Sequence, residues 1–231
     1  MGTGMIGLLW NIFIGVAVVS WLVQMNLQSK FKKYSKIPTG NGMTGADVAL
    51  KTLHDNGIYD VTVTHTTGHL KDHYNTANKT VSLSESVYTS NCIMEAAVAA
   101  HECGHAVQHA RAYAPLTMRS KLVPVVSFAS NIMTWVLLGG ILMLNTFPQL
   151  LLAGIILFAM TTLFSFITLP VEINASKRAL VWLSSSGITN ARNHTQAEDA
   201  LRSAAYTYVV AALGSLATLV YYIMIFMGRR E

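Results

Sequence analysis

The chain has 231 residues, of which 52% are hydrophobic and only 12% are charged, with a formal net charge of +5. Soluble domains carry about 25% charged residues, so this composition argues against an ordinary soluble protein. No run of basic residues interleaved with aromatic residues occurs, and we therefore expect no nucleic-acid partner.

Four apolar stretches account for the shortage of charge. They cover roughly residues 5–25, 122–144, 150–169 and 206–227, and none of them contains Asp, Glu, Lys or Arg. Each has about 20 residues, the length that an α-helix needs to cross the hydrocarbon layer of a membrane. Buried core helices are the alternative, but four uncharged stretches in so short a chain favour transmembrane helices. The first is expected to be an uncleaved anchor, because no basic segment precedes it and no small-residue cleavage site follows.

The basic residues predict the orientation of the chain in the membrane. Four spans place residues 26–121 and 170–205 on one side, and of the 16 Lys and Arg only Arg229 and Arg230 lie elsewhere. The positive-inside rule therefore predicts a multi-pass membrane protein with these two segments in the cytoplasm. The predicted regions are transmembrane helix 1 (1–25), a cytoplasmic region (26–121), a transmembrane hairpin (122–169), a second cytoplasmic segment (170–205) and transmembrane helix 4 with a short tail (206–231).

The first cytoplasmic region is predicted to fold as a small α+β domain. Thr44 is a suitable N-cap for a short helix and Gly57 a suitable stop. A β-branched, alternating run, a second possible strand and another alternating run are expected to form a short antiparallel sheet. The predicted ranges are 46–56 for the first helix, 61–64, 69–74 and 81–88 for the strands, and 91–112 for a second helix. In the second segment, residues 171–185 are predicted to form a helix, and residues 196–205 to begin the helix of the fourth span.

The sequence HECGH, residues 101–105, carries the chemistry of a metal site. Residues four apart lie on one face of a helix, so His101 and His105 can point both imidazoles at one ion. Glu102 is offset by about 100° and can instead act as a general base on a water molecule activated by zinc. Cys103 faces away from the pair and is interpreted as a packed residue. A coincidental surface pair of histidines is the alternative.

A catalytic zinc usually has three protein ligands and one open position. His109 lies two turns from His101, about 12 Å along the helix, and cannot join the same ion. Among the residues that follow this helix in the chain, the carboxylates on the same predicted side of the membrane are Glu172, Glu198 and Asp199. Glu172 is favoured because it follows directly after the third span, although an acidic residue near a helix start also suits the helix dipole.

Three segments together resemble a known family. HECGHAVQHA, YAPLTMRSKLVP and VEINASKRAL look like the bacterial membrane-bound neutral zinc metallopeptidases of the YugP type. The resemblance covers residues 74–180, and it extends more distantly to the HtpX-type membrane proteases, which are gluzincins. It implies a zincin-like cytoplasmic domain, one zinc ion per chain and peptide-bond hydrolysis.

The resemblance also implies a role for particular residues around VEINASKRAL. It makes Glu172 the third zinc ligand, in agreement with the comparison of the carboxylates. Ser176 stands where the gluzincin pattern has an Asp that orients a metal-bound histidine. We therefore expect Ser176, or alternatively Asn174, to take that supporting role.

The residues that hold the substrate are less well defined by the sequence. Arg178 and His194 are candidates for stabilising the oxyanion, with a solvated charge as the alternative for Arg178. Residues 81–84 could form the strand edge on which an extended substrate pairs, or could be purely structural.

The predicted function is an integral-membrane zinc endopeptidase that cuts membrane or membrane-proximal polypeptides at the cytoplasmic face. The alternatives are a non-proteolytic zinc-binding membrane protein, a transporter, and a zinc hydrolase acting on a lipid or a non-peptide amide. A structural zinc site would favour four ligands including cysteines, and a transporter would need polar residues within the spans. The sequence leaves the oligomeric state open.

Overall fold

The computed structural model describes residues 3–68 and 70–228, with side chains from residue 11 onward. Within these ranges the protein is mainly helical, with one small sheet. The helices are α1 (Thr3–Tyr34), α2 (Gly45–Asp55), α3 (Glu85–Thr89), α4 (Ile93–Ala110), α5 (Ala114–Leu142), α6 (Pro148–Ser185) and α7 (His194–Met227). The strands are β1 (Thr62–Thr66), β2 (His73–Asn75) and β3 (Thr80–Ser84).

The chain divides into two compact units. The apolar unit comprises Met1–Val23, Met118–Leu169 and Thr207–Glu231, and the polar unit comprises Gln24–Thr117 and Pro170–Tyr206. The four long helices α1, α5, α6 and α7 each contribute residues to both units. All three strands and the helices α2, α3 and α4 belong to the polar unit.

The apolar unit has the surface expected of helices surrounded by lipid. In the described residues, α5, α6, α7 and the part of α1 from Asn11 to Tyr34 are long and apolar enough to cross a membrane. Large apolar side chains such as Phe128, Trp135 and Leu163 point outward and are well exposed. Exposed apolar surface of this extent marks contact with a non-aqueous environment. The four predicted spans therefore coincide with four long helices.

The helix hairpin of the apolar unit depends on one close backbone contact. A Cβ atom added at Gly140 of α5 would lie 2.5 Å from the Cα of Leu151 on α6. Only glycine allows two helices to approach so closely at this point. Leu137, Leu151 and Ile155 form the buried core around this contact.

Residues 171–185 are helical as predicted, but they do not form a separate helix, because α6 continues through Pro170 to Ser185. Proline inside a helix removes one backbone hydrogen bond and usually bends or ends the helix. Here the residues after it, Val171 and Ala175, are completely buried. Their packing in the polar unit stabilises the helix beyond the proline, and long-range packing of this kind overrides a local signal.

The sheet of the polar unit is mixed, so the prediction of an antiparallel sheet is wrong in part. The strand order is β1-β3-β2, with β2 antiparallel to β3 and β1 parallel to β3. β3 is the most buried strand and occupies the centre, with Val81 and Leu83 fully inaccessible. β3 lies between β1 and β2, so the segment after β1 leads to the far edge of the sheet, where β2 runs antiparallel to β1. β3 then returns antiparallel to β2 and is therefore parallel to β1.

The third predicted strand, residues 81–88, is also shorter than predicted. β3 ends at Ser84, and α3 begins at Glu85. The carboxylate of Asp72 accepts hydrogen bonds from the backbone N–H of Ser84, at 2.7 Å, and from its hydroxyl, at 2.8 Å. These bonds hold the chain at the turn from strand to helix. The second predicted strand, 69–74, is replaced by β2 at His73–Asn75, and His69 lies outside the described residues.

The core of the polar unit forms between α2 and α4. Thr44 caps α2 as predicted, and a reciprocal pair of hydrogen bonds with Asp47 completes a capping box. Gly57 follows with a φ of 73°, a backbone conformation that favours glycine. Val48 and Leu53 of α2 are buried against the alanine-rich side of α4. This packing fixes α4, the helix that carries the HECGH sequence.

Candidate metal centre

Two helices of the polar unit bring three candidate ligands together. His101 and His105 lie one turn apart on α4, with ring centroids separated by 4.9 Å. Glu172 of α6 places its Oε2 atom 3.3 Å from Nε2 of His101 and 3.6 Å from Nε2 of His105. All three ligand atoms lie within 4.8 Å of one another. In the described part of the chain, this is the one group of three or more His, Cys, Asp or Glu residues with metal-binding geometry.

The geometry of these atoms fits zinc. Zinc binds His nitrogen and carboxylate oxygen at about 2.0–2.2 Å, usually with tetrahedral geometry. Two ligand atoms at these lengths are separated by about 3.3–3.6 Å in a tetrahedral arrangement. The measured separations of Glu172 from the two histidines, 3.3 and 3.6 Å, agree with this value. Two imidazoles and one carboxylate are also a common ligand set of catalytic zinc, and they leave the fourth position open.

The three ligand side chains differ in burial. The side chain of Glu172 is 3% exposed and that of His105 is 7% exposed, whereas that of His101 is 14% exposed. His101 is therefore the most accessible of the three ligands.

Gly104 allows α6 to reach α4 at this place. A Cβ atom at Gly104 would lie 2.8 Å from the carbonyl oxygen of Ala175 and 3.2 Å from its Cα. The contacting atoms belong to the backbone, so they cannot turn away as the end of a flexible side chain could. Because Gly104 lies between the two histidines and Ala175 lies one turn after Glu172, this contact sets the distance between the ligands.

The ring of His101 is oriented by Ser176. Nδ1 of His101 lies 3.1 Å from the Ser176 hydroxyl, while Nε2 faces Glu172. A ring that donates from Nδ1 to the hydroxyl oxygen keeps the lone pair of Nε2 available for a metal. Ser176 thus lies where the sequence comparison expected a group that supports a ligand.

The ring of His105 is oriented by Gln108, a residue that the sequence analysis missed. Nδ1 of His105 lies 3.0 Å from Oε1 of Gln108, which is completely buried. The Gln108 amide donates to the carbonyl oxygen of Val171 at 2.8 Å and to Oδ1 of Asn174 at 3.0 Å. Gln108 follows His105 by three residues, and this spacing places the two side chains near the same helix face. The spacing therefore indicates a contact between them.

Asn174 and Arg178 extend the same hydrogen-bond chain. Nε of Arg178 donates to Oδ1 of Asn174 at 2.7 Å, and Asn174 in turn accepts from Gln108. Asn174 is thereby connected to His105, whereas the prediction considered it as an alternative to Ser176. The described contact of Arg178 is with Asn174, so its predicted role at the oxyanion remains a prediction.

Substitution of Gln108 by leucine is expected to weaken zinc binding. Loss of a partner that orients a metal-bound histidine typically lowers metal affinity by about 10- to 100-fold. The measurement is a competition titration of zinc against a chromophoric chelator. Gln108→Glu, which retains an acceptor oxygen, should lose less, and Gln149→Leu in the exposed start of α6 is the matched control. Equal affinity of wild type and Gln108→Leu would show that the bond to His105 does not support the ligand.

Glu102 has the properties of a proton acceptor beside the ligands. It is buried, and burial raises its pKa to about 7, although nearby His101 opposes the rise. A carboxyl group with this pKa can accept and return a proton near neutral pH. Burial would also raise the pKa of Glu172, but the adjacent imidazoles of His101 and His105 hold that pKa well below its ordinary value.

The other candidate ligands have partners elsewhere. Nδ1 of His109 lies 2.8 Å from the Tyr74 hydroxyl, and Nδ1 of His194 lies 2.9 Å from the Thr189 hydroxyl. Asp199 accepts hydrogen bonds from Lys30 at 2.7 Å and from Tyr34 at 2.6 Å. The structure therefore places none of these three groups with the ligand cluster, and the predicted role of His194 at the oxyanion has no contact that supports it.

Of the two alternatives for residues 81–84, the structure agrees with structural pairing and not with a free strand edge. These residues lie in β3, which pairs with β1 on one side and with β2 on the other. Both edges of β3 are occupied because this apolar strand fills the centre of the sheet. Within the described residues, β1 and β2 are the strands with one neighbour each. β2 lies against the motif helix, since Tyr74 bonds to His109 of α4.

Comparison with known proteins agrees with the site. Residues 9–227 match the family described as "Putative neutral zinc metallopeptidase". A relative in Bacillus subtilis (strain 168), described as "Putative membrane protease YugP", is 42% identical over 222 residues, which cover 95% of this chain and 98% of the relative. No solved structure matches the chain. With four long apolar helices and this relative, the protein is a membrane protein, and the chain belongs to the neutral zinc metallopeptidase family.

Proposed function

We propose that this protein is an integral-membrane zinc endopeptidase that hydrolyses peptide bonds at the cytoplasmic face of the bacterial inner membrane. The observation that carries the proposal is the meeting of His101, His105 and Glu172 beside the buried carboxyl group of Glu102. The membrane zinc metallopeptidase family supports the reaction class. The concentration of Lys and Arg in residues 26–121 and 170–205 supports the cytoplasmic orientation.

In this mechanism His101, His105 and Glu172 would hold one zinc ion, and Glu102 would accept and return a proton. Zinc, when bound, supplies Lewis acidity and lowers the pKa of a water molecule. His101 and His105 present Nε2, while Ser176 and Gln108 fix the rings through Nδ1. Glu102 accepts the proton of the attacking water and returns it to the leaving amine. Its burial, which raises the pKa to about 7, suits both transfers at neutral pH.

The sheet supplies a place for an extended polypeptide substrate. β2 belongs to the hairpin that lies against α4, and the structure shows one strand partner for it, β3. A polypeptide chain can pair with an open strand edge through backbone hydrogen bonds. This arrangement suits a substrate segment that is unfolded. It also replaces the β3 edge considered from the sequence.

The test is cleavage of an unfolded protein by the full-length chain in detergent micelles. Fluorescein-labelled β-casein is incubated with zinc-loaded protein, with protein treated with 1,10-phenanthroline, and with treated protein after zinc is restored. We expect new peptide N-termini, identified by mass spectrometry, in the first and third samples only. The alternative hydrolase would be favoured over the peptidase by two results together. Zinc-loaded protein would release no peptide from β-casein or from a membrane extract of its own source, and it would hydrolyse ester or lipid amide bonds.

A further inference from the structure

The polar unit contains a second cleft, distinct from the metal centre. α2, α4 and α6 form its walls, and its volume is about 370 Å³, within the range of sites that bind small molecules. The small residues Ala100, Gly104 and Ala179 contribute to its lining. On α4, Ala100 and Gly104 directly precede His101 and His105 in the sequence. They therefore lie about 100° around the helix from the two ligands.

Positive charge dominates this cleft. Arg111, Lys177 and Arg178 line it, and none of its lining residues is acidic. One carboxylate contacts a lining residue through a described hydrogen bond: Asp55 accepts from Nε1 of Trp182 at 3.1 Å. Asp55 is itself paired with Lys51 at 3.0 Å, so its charge is already balanced.

Neutral amide groups hold two of the three cations in place. Nη2 of Arg111 donates to Oδ1 of Asn56 at 3.3 Å, and the Asn56 amide is fixed by its own bond to the carbonyl oxygen of Thr52. Nε of Arg178 donates to Oδ1 of Asn174. No ion pair of Arg111, Lys177 or Arg178 occurs among the residues that the structure describes. The guanidinium groups are therefore oriented without being neutralised.

We propose that this cleft binds a phosphate group. Three uncompensated cations match a phosphate dianion better than a single carboxylate, and oriented guanidinium groups bind phosphate through paired N–H donors. The phosphate belongs either to an anionic phospholipid head group or to a soluble phosphate compound. The proposal does not depend on the proposed peptidase activity, because no lining residue is a metal ligand or the proton acceptor.

The cleft and the metal centre share one hydrogen-bond chain. Arg178 lines the cleft and also anchors Asn174, which leads through Gln108 to His105. Arg178 is therefore unsuitable as a test position, since its replacement alters both sites. Arg111 and Lys177 are exposed and take no part in that chain, so they separate the two sites.

The experiment measures binding of inorganic phosphate to the full-length protein in detergent micelles by isothermal titration calorimetry. We expect saturable binding to one site, weakened about tenfold or more by Arg111→Gln and by Lys177→Gln, because each removes one charge-assisted contact. Lys177→Arg should retain binding, and Arg192→Gln, an exposed charge before α7, is the matched control. The titration with phosphate is done on zinc-loaded protein and again after chelation. The comparison distinguishes phosphate bound in the cleft from phosphate bound to the metal.

Competition with short-chain lipids identifies the source of the phosphate group. Displacement by dihexanoyl phosphatidylglycerol, but not by dihexanoyl phosphatidylcholine, assigns the cleft to an anionic lipid. Phosphate binding that neither lipid displaces assigns it to a soluble compound. Absence of saturable phosphate binding, or equal binding by wild type, Arg111→Gln and Lys177→Gln, overturns the proposal. Retained zinc binding in the two variants verifies that they are folded.

Discussion

Replacement of Glu102 by glutamine is expected to reduce the rate of peptide cleavage by about 10²- to 10⁴-fold, the usual contribution of a positioned acid–base group. Glutamine has nearly the volume of glutamate but cannot accept the proton of the attacking water. Glu102 is buried, and its burial places its pKa at about 7, so the wild-type group titrates in the range where proton transfer is useful. The measurement is kcat on labelled β-casein together with zinc content per chain.

The zinc content distinguishes a loss of catalysis from a loss of the site. Glu102 is not among the three residues whose ligand atoms converge, so Glu102→Gln should still bind about one zinc per chain. Glu85→Gln, an exposed acid at the start of α3, is the matched control and should retain full activity. Full activity of zinc-loaded Glu102→Gln would rule out Glu102 as the proton acceptor. Loss of zinc from the variant would instead assign Glu102 a role in holding the metal.

The local part of the site could be predicted from sequence because helix geometry is periodic. Residues four apart share a helix face, so the pairing of His101 with His105 and the offset of Glu102 follow from their spacing alone. The four apolar helices follow in the same way from length and lack of charge. Spacing does not, however, reveal which distant residue meets the pair. Among the few carboxylates available, the sequence favours Glu172 through its place directly after the third span, but its position within reach of both rings depends on the α4–α6 contact at Gly104.

The features that the sequence did not reveal depend on long-range packing. Gln108 supports His105 only because α6 brings Val171 and Asn174 to its amide. The parallel pairing of β1 with β3 follows from a chain crossing that alternation of apolar residues cannot encode. Pro170 locally favours a helix boundary, but burial of the residues that follow it maintains α6. In each case a contact between residues far apart in the chain decides the structure.

Replacement of Glu172 by alanine is expected to remove zinc from the protein. Loss of a group that only orients a ligand lowers metal affinity by about 10- to 100-fold, and loss of a ligand itself should lower it by more than 100-fold. Elemental analysis of the purified full-length protein should give about one zinc per chain for wild type and little for Glu172→Ala. Glu198→Ala, an exposed acid in the first turns of α7, is the matched control and should retain zinc.

The fold of the variant has to be separated from its metal content, because Glu172 is 3% exposed and contacts both histidines. Glu172→Gln preserves the volume of the side chain and should lose zinc while the helical circular dichroism signal is retained. Full zinc in both variants would require another third ligand. Asp199 is poorly suited to replace Glu172, because it would have to leave Lys30 and Tyr34. His109 would have to leave Tyr74 and cross two helical turns. For either of these two residues, retention of zinc would therefore require the loss of contacts that the structure shows.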